Sequence, residues 1–127
     1  MRDLIISFLA VTLLIGSWMT FYGYSESRIN EFSQTVSNII LPMVEEEDWA
    51  AGNSEITRLS DSWNNYKRLA LLFLDTQSIS EIDYTISKTT QYIKARDLSN
   101  SSGELLVLHK QLLYLSSNER VSLSNIL

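Results

Sequence analysis

The sequence is short of the residues that form redox and metal sites and of those that break helices. It has 127 residues and no cysteine, which excludes disulfides, thiolate metal sites, a cysteine nucleophile and a lipidated cysteine. One proline and four glycines leave few helix breakers, and β-branched residues show no sustained alternation. The length suits one small domain. We therefore predict an all-α fold.

Positive charge and histidine are also scarce. The net charge of −5 argues against a nucleic-acid-binding surface, so no nucleic-acid partner is expected. A Ser-His-Asp hydrolase would need the single histidine, His109, as its base, but the chain has neither a nucleophile elbow nor a Gly-rich phosphate loop. We expect no enzymatic activity, no catalytic residue, no cofactor and no metal. His109 lies between Leu106 and Leu113 on a helix flank, a candidate interaction strip.

The longest apolar feature is the uncharged run LIISFLAVTLLIGSWMTFYGY at residues 4–24. At about 1.5 Å per residue, a helix of this length spans roughly 30 Å, the thickness of a bilayer core. Its aromatic end is typical of a membrane interface. We assign residues 1–24 to a transmembrane anchor and residues 25–127 to a helical soluble domain. A cleaved signal peptide is the alternative, since Gly23 and Ser25 resemble a weak cleavage site.

Charge around the run predicts its orientation in the cell membrane. Arg2 and the amino terminus precede the run, whereas only Arg28 follows it closely. The positive-inside rule then places the N-terminus in the cytoplasm and the C-terminal domain outside. The expected partners are the lipid bilayer and another membrane or envelope protein, and a homo-oligomer is left open.

Small residues repeat along one face of the predicted anchor. Thr12, Gly16 and Thr20 are four residues apart, and Gly23 continues the face. Such spacing lets membrane helices approach closely, so these residues are candidates for helix–helix interaction. Contact with lipid is the alternative.

Apolar stripes in the rest of the chain predict four helices. The first continues from the anchor until Pro42 kinks or ends it. Ser78 and Glu81 have capping-box spacing and predict the start of the third helix, and Ser116 and Glu119 repeat that spacing before a short tail.

A weak internal repeat appears when the chain is shifted by 49 residues. Asp48-Trp49 then lies over Asp97-Leu98, and the apolar stripes that follow also align. Each half resembles a tetratricopeptide-like αα-hairpin, but two units are too few for a solenoid, so a compact bundle of about four helices is expected. We interpret these residues as structural turns, with Asp48 as a helix cap and Trp49 as a wedge. The acidic run before Trp49 lacks the ligand spacing of a calcium loop.

Two functional hypotheses remain. The first is a non-enzymatic single-pass membrane protein whose helical domain binds another membrane or envelope protein. The second is an anchored or secreted ligand-binding domain with an aromatic groove for a peptide or glycan. The aromatic residues available for such a groove are Trp49, Trp63, Tyr66, Tyr84, Tyr92 and Tyr114.

Several of these features together resemble one protein family. They are the N-terminal anchor, the Asp48-Trp49 turn, the Trp63 stripe, YIKARD at residues 92–97 and the terminal SLSNIL. The sequence is similar to an uncharacterised family of small membrane-anchored proteins from Gram-positive, mainly spore-forming, bacteria, known as a domain of unknown function. The resemblance implies a single-pass membrane protein with a helical domain, and no known activity. The sequence AAGN after the turn departs from the family pattern and predicts a late helix start near Ser54.

Overall fold

The computed structural model describes the backbone of residues 1–126 and the side chains of residues 1–117. Nearly all of this backbone is helical, and no strand occurs in it. The helices are α1 (Arg2–Glu45), α2 (Trp49–Ala70), α3 (Thr76–Lys94) and α4 (Leu98–Ile126). Within α1, a π-helical turn, Val36–Ile40, separates the α-helical parts Arg2–Thr35 and Leu41–Glu45.

The helices form one bundle with a shared core. Short turns join consecutive helices as hairpins, and α4 packs back against α1 and closes the arrangement. At its centre, the Phe32 ring meets Trp63 and Tyr66 edge-on, with centroids 5.9 and 5.7 Å apart. The predicted fold, an apolar N-terminal helix continuing into a compact bundle, is confirmed. The two αα-hairpins contribute to a single core, as expected for an array too short to be a solenoid.

α1 extends well beyond the bundle at its N-terminal end. Side chains of residues 2–20 are exposed, apart from a half-buried Trp18, and burial begins at Phe21. α1 is the one helix among the described residues with the length and apolar composition needed to cross a membrane. The chain therefore combines a bare apolar helix with a bundle that begins partway along it.

The two outer turns, between α1 and α2 and between α3 and α4, have the same backbone geometry. In the first, the N–H of Asp48 donates to Met43 and that of Glu47 to Val44, both at 2.9 Å. Glu47 adopts a left-handed φ of 58°. These are the two bonds of a Schellman motif, and Asp48 then begins the next helix by accepting the N–H of Ala51.

The second turn repeats this pattern 49 residues later. Arg96 has a φ of 56°, and Asp97 donates its N–H to the carbonyl of Tyr92 at 3.0 Å. Asp97 also accepts from Asn100, through the side-chain amide at 2.7 Å and the backbone N–H at 3.1 Å. These two bonds lower the pKa of Asp97, the side-chain bond most. The structure therefore shows one turn device used twice, at the spacing of the sequence repeat.

Glycine at both left-handed positions is expected to stabilise the bundle. A residue with a side chain loses roughly 1–2 kcal/mol of stability in this conformation. Glycine avoids that loss, although its more flexible backbone loses more entropy on folding, which offsets part of the gain. Glu47→Gly combined with Arg96→Gly should therefore raise the free energy of unfolding by about 1–2 kcal/mol. Chemical denaturation in detergent micelles, followed by circular dichroism, measures the change.

Glycine at the preceding position of each turn is the matched control. Glu46 has a φ of −82° and Ala95 a φ of −79°, so neither residue is strained. Glu46→Gly with Ala95→Gly should give no stabilisation. Equal effects of the two pairs would contradict the strain argument.

Pro42 does not end α1, which continues to Glu45. The structure instead widens the helix into the π-turn just before the proline, where the N–H of Leu41 donates to the carbonyl of Val36, five residues back. Because proline has no N–H and its ring crowds the preceding turn, a wider turn accommodates it without a break.

The π-turn acts as a one-residue insertion in α1 relative to α3. After the turn, buried positions of the two helices match at a spacing of 49 residues, as Val44 does with Ile93. Before the turn they match at 50 residues, as Ile29 does with Ile79. The π-turn thus keeps both ends of α1 facing the core.

Two predicted helix starts are wrong. α2 begins at Trp49 and not near Ser54, because the Asp48 cap holds AAGN in the first turn of the helix. α3 begins at Thr76 because Asp75 accepts the N–H groups of Gln77 and Ser78 and so caps the helix before Ser78 can.

The capping-box spacing at Ser116 does not start a new helix, because the α4 backbone is helical through to Ile126. Glu119, the other half of that capping-box prediction, lies outside the described side chains.

Candidate interaction site along the anchor helix

An open groove of about 900 Å³ runs along α1 where the helix leaves the bundle. Its lining is almost entirely apolar and comes from α1 and from the end of α2. The lining residues are Leu9, Thr12, Leu13, Gly16, Ser17, Thr20, Phe21, Tyr24, Leu69 and Phe73. From Leu9 to Tyr24 the groove follows α1 for roughly 22 Å at the helical rise of about 1.5 Å per residue.

The small residues predicted from the sequence form the floor of this groove. The Thr12 hydroxyl donates to the Phe8 carbonyl and the Thr20 hydroxyl to the Gly16 carbonyl, each at 2.8 Å. Both hydroxyls are therefore satisfied within α1. A Cβ built on Gly16 would have no neighbouring atom within 4 Å, so the floor is unobstructed there. Gly23, the fourth predicted residue, does not line the groove.

One wall of the groove is held in place by contacts between α2 and α1. The Phe73 ring stacks on Phe21, with centroids 4.4 Å apart and an interplanar angle of 19°. One helical turn further along α1, the buried hydroxyls of Ser25 and Tyr66 share a hydrogen bond. These contacts fix Leu69 and Phe73 beside α1 and give the groove a defined end.

By spacing alone, Leu69 and Phe73 would belong to the apolar face of α2. The structure ends α2 at Ala70 and turns the chain, so that Phe73 reaches α1. The signal was the unbroken apolar run at residues 69–74, which is too continuous for one face of a helix.

The predicted strip on α4 lies apart from the groove, at the seam between α4 and α1. Leu106 and Leu113 are about half exposed. His109 is partly buried between them, with its Nδ1 atom 3.0 Å from the Ser33 hydroxyl and 3.3 Å from the Ser33 carbonyl. The imidazole thus joins two helices.

The acidic stretch before Trp49 forms the exposed end of α1 and its turn. Glu45, Glu46 and Glu47 are exposed, and Asp48 accepts from the Ala51 N–H at 3.2 Å. Trp49 is half-buried and packs against the core.

In the second turn, Leu98 is 39% exposed. The two apolar turn residues therefore differ in depth. Within the described part of the chain, no group of three His, Asp or Glu side chains is placed to hold a metal ion.

Residues 20–126 match the model of a protein family described as a domain of unknown function, DUF4363. The match covers most of the sequence. The chain belongs to this family. Comparison with curated proteins and with solved structures found no match. The predicted membership of an uncharacterised family is therefore confirmed.

The DUF4363 match divides the groove into two parts. It begins at Thr20 and includes the stacked pair Phe21 and Phe73, which form the bundle end of the groove. Thr12 and Gly16 lie before it. The bundle wall thus belongs to the family domain, and most of the floor belongs to the part of α1 that precedes it.

Proposed function

We propose that this DUF4363 chain is a non-enzymatic single-pass membrane protein that binds a second membrane protein through the groove on α1. The observation that carries the proposal is the coincidence of the small-residue face of the apolar helix with this groove. In this proposal, residues 4–24 span the cell membrane, with the N-terminus in the cytoplasm and the bundle outside. The charge difference between Arg2 and the segment after the span supports that orientation.

The chemistry of the groove favours a membrane helix as its occupant. Within a bilayer, helices associate through close van der Waals packing, which small residues permit. Because the hydroxyls of Thr12 and Thr20 bond to their own helix, they present methyl groups to a partner. The groove length of roughly 22 Å corresponds to four turns of a partner helix.

The position of the groove favours a different protein over a second copy of this chain. Leu69 and Phe73 line the groove at the end nearest the bundle, so a helix bound in the groove must pass beside the bundle. A second copy carries its own bundle packed around α1 from Phe21 onward, whereas a bare helix passes freely. Self-association is a distinguishable outcome of the test below.

An aromatic groove for a peptide or glycan has less support. Trp63 and Tyr66 are core residues and unavailable to a ligand. Tyr84 and Tyr114 are exposed and border two adjoining depressions, of about 420 and 280 Å³, that share Glu81 and Gln111. Each of these depressions is lined by only one aromatic side chain.

Gly16→Leu is expected to reduce partner binding about tenfold or more, because the leucine side chain fills the floor of the groove. Leucine favours insertion, and no neighbouring atom within 4 Å opposes the substitution, so the bundle should stay intact. The measurement is quantitative cross-linking in native membranes, followed by purification of the chain and identification of attached proteins.

Ser7→Leu is the matched control, since it adds similar bulk at an exposed position outside the groove. Support requires a protein whose recovery falls with Gly16→Leu and not with Ser7→Leu. Cross-linked copies of the chain showing that same dependence would replace the partner with a homo-oligomer. Unchanged recovery in both variants would assign the groove to lipid.

A further inference from the structure

The turn between α2 and α3 exposes an apolar tip formed by Leu71, Leu72 and Phe73. Leu72 is 75% exposed, and Leu71 and Phe73 are 43% and 38% exposed. Three consecutive large apolar residues at the apex of a turn are unfavourable in water, where each would gain from burial of its side chain. Among the residues whose side chains the structure describes, none covers most of Leu72, the apex of this tip.

The tip lies at the level of the end of the apolar helix. Phe73 stacks on Phe21, which is three residues inside the uncharged run that ends at Tyr24. At about 1.5 Å per residue, this contact lies roughly 4–5 Å within the apolar segment. Tyr66, about one turn before the α2 terminus at Ala70, bonds to Ser25 just outside that segment. The end of α2 therefore descends along α1 past the boundary of the uncharged run.

Charges bracket the tip in the same way as they bracket the anchor. Residues 69–74 are uncharged, with Lys67 and Arg68 before them and Asp75 after them. Lys67 is paired with Asp83 at 3.2 Å, whereas the side chain of Arg68 is exposed at the surface. A basic side chain beside an apolar segment can bind lipid phosphate groups at the membrane surface while its aliphatic part lies along the apolar surface.

We propose that the Leu71–Phe73 tip inserts into the lipid bilayer beside α1 and gives the bundle a second membrane contact. This inference rests on the proposed membrane span of residues 4–24. Lipid is the expected contact of the tip, because the tip continues the apolar surface of α1 at the same level along that helix. The second contact holds the bundle against the membrane and presents the groove wall, Leu69 and Phe73, to a helix within the bilayer.

Spin labels at single cysteines test this proposal in the full chain. The natural sequence has no cysteine, so each introduced cysteine is labelled alone. Leu72→Cys reports the tip, Leu13→Cys the apolar helix, and Ala50→Cys an exposed position at the far end of the bundle. The chain is placed in vesicles of phosphatidylethanolamine and phosphatidylglycerol at a low protein-to-lipid ratio. Accessibility to oxygen and to a water-soluble nickel chelate is then measured by electron paramagnetic resonance.

The expected result is a loss of nickel accessibility at Leu72→Cys, with an oxygen-to-nickel ratio close to that of Leu13→Cys. A ratio at Leu72→Cys equal to that of Ala50→Cys, with Leu13→Cys still in lipid, would overturn the tip proposal and leave the anchor standing. A water-exposed label at Leu13→Cys would overturn the membrane span itself and the tip contact with it.

Discussion

Replacing Trp63 with alanine is expected to lower the free energy of unfolding by about 3–5 kcal/mol, the range for removing a fully buried large aromatic side chain. Trp63 is 1% exposed and lies against both Phe32 and Tyr66. Its removal leaves a cavity between α1 and α2, and the remaining rings are too rigid to fill it. Denaturant unfolding in detergent, followed by far-UV circular dichroism, measures the loss.

Trp49→Ala is the control, because it makes the same substitution at a tryptophan that is less deeply buried. Trp49 is half-buried at the first turn, so its removal opens no closed cavity, and a loss of about 1–2 kcal/mol is expected from the smaller apolar area. Equal losses at the two tryptophans would mean that Trp49, the predicted wedge, contributes as much to the core as Trp63 does.

Removing the second hairpin, α3 and α4, is expected to abolish cooperative folding of the first hairpin, α1 and α2, except for the apolar N-terminal part of α1. The buried residues of α1 and α2 share one cluster with those of α3 and α4. Without α3 and α4, residues 1–74 expose the inner faces of Trp63 and Ile56 to water. Half of a domain of this size cannot bury enough apolar surface to offset the loss of chain entropy. Amide hydrogen exchange in micelles should show loss of protection across Trp49–Ala70.

The control keeps all residues and cuts only the connection. Separately produced chains 1–74 and 75–127, mixed in micelles, contain every residue and lack only the peptide bond in the α2–α3 turn. The mixture should regain its protection if the two halves bind each other. A truncated chain 1–74 that still melts cooperatively would show instead that the hairpins are independent, as in a repeat array.

Local chemistry explains the features that sequence reasoning predicted correctly. The apolar run at residues 4–24 specifies a bare helix through its own composition, without help from packing. The turns at Asp48 and Asp97 form because an aspartate provides a cap within three residues of itself. The small-residue floor of the groove was also visible, since a helix places residues four apart on one face.

Other features depend on contacts between distant segments. The π-turn arises where Pro42 must be accommodated while both ends of α1 keep facing the same core, a condition that involves α3. The sequence therefore predicts a disturbance of the helix at Pro42, but it does not predict the π-turn that accommodates it.

The groove itself forms only in the tertiary structure, when α2 docks on α1. Phe73 fits the helical stripe of α2 by spacing alone, and only the docking of α2 on α1 turns it toward Phe21. His109 likewise meets Ser33 because α4 closes the bundle, across 76 residues of sequence. The sequence by itself determined the helices, their caps and the bare apolar segment, which depend on neighbours within a few residues. Where the groove ends and which apolar residues lie beside the end of the uncharged run depend on packing, because side-chain burial depends on which distant helix packs against that face.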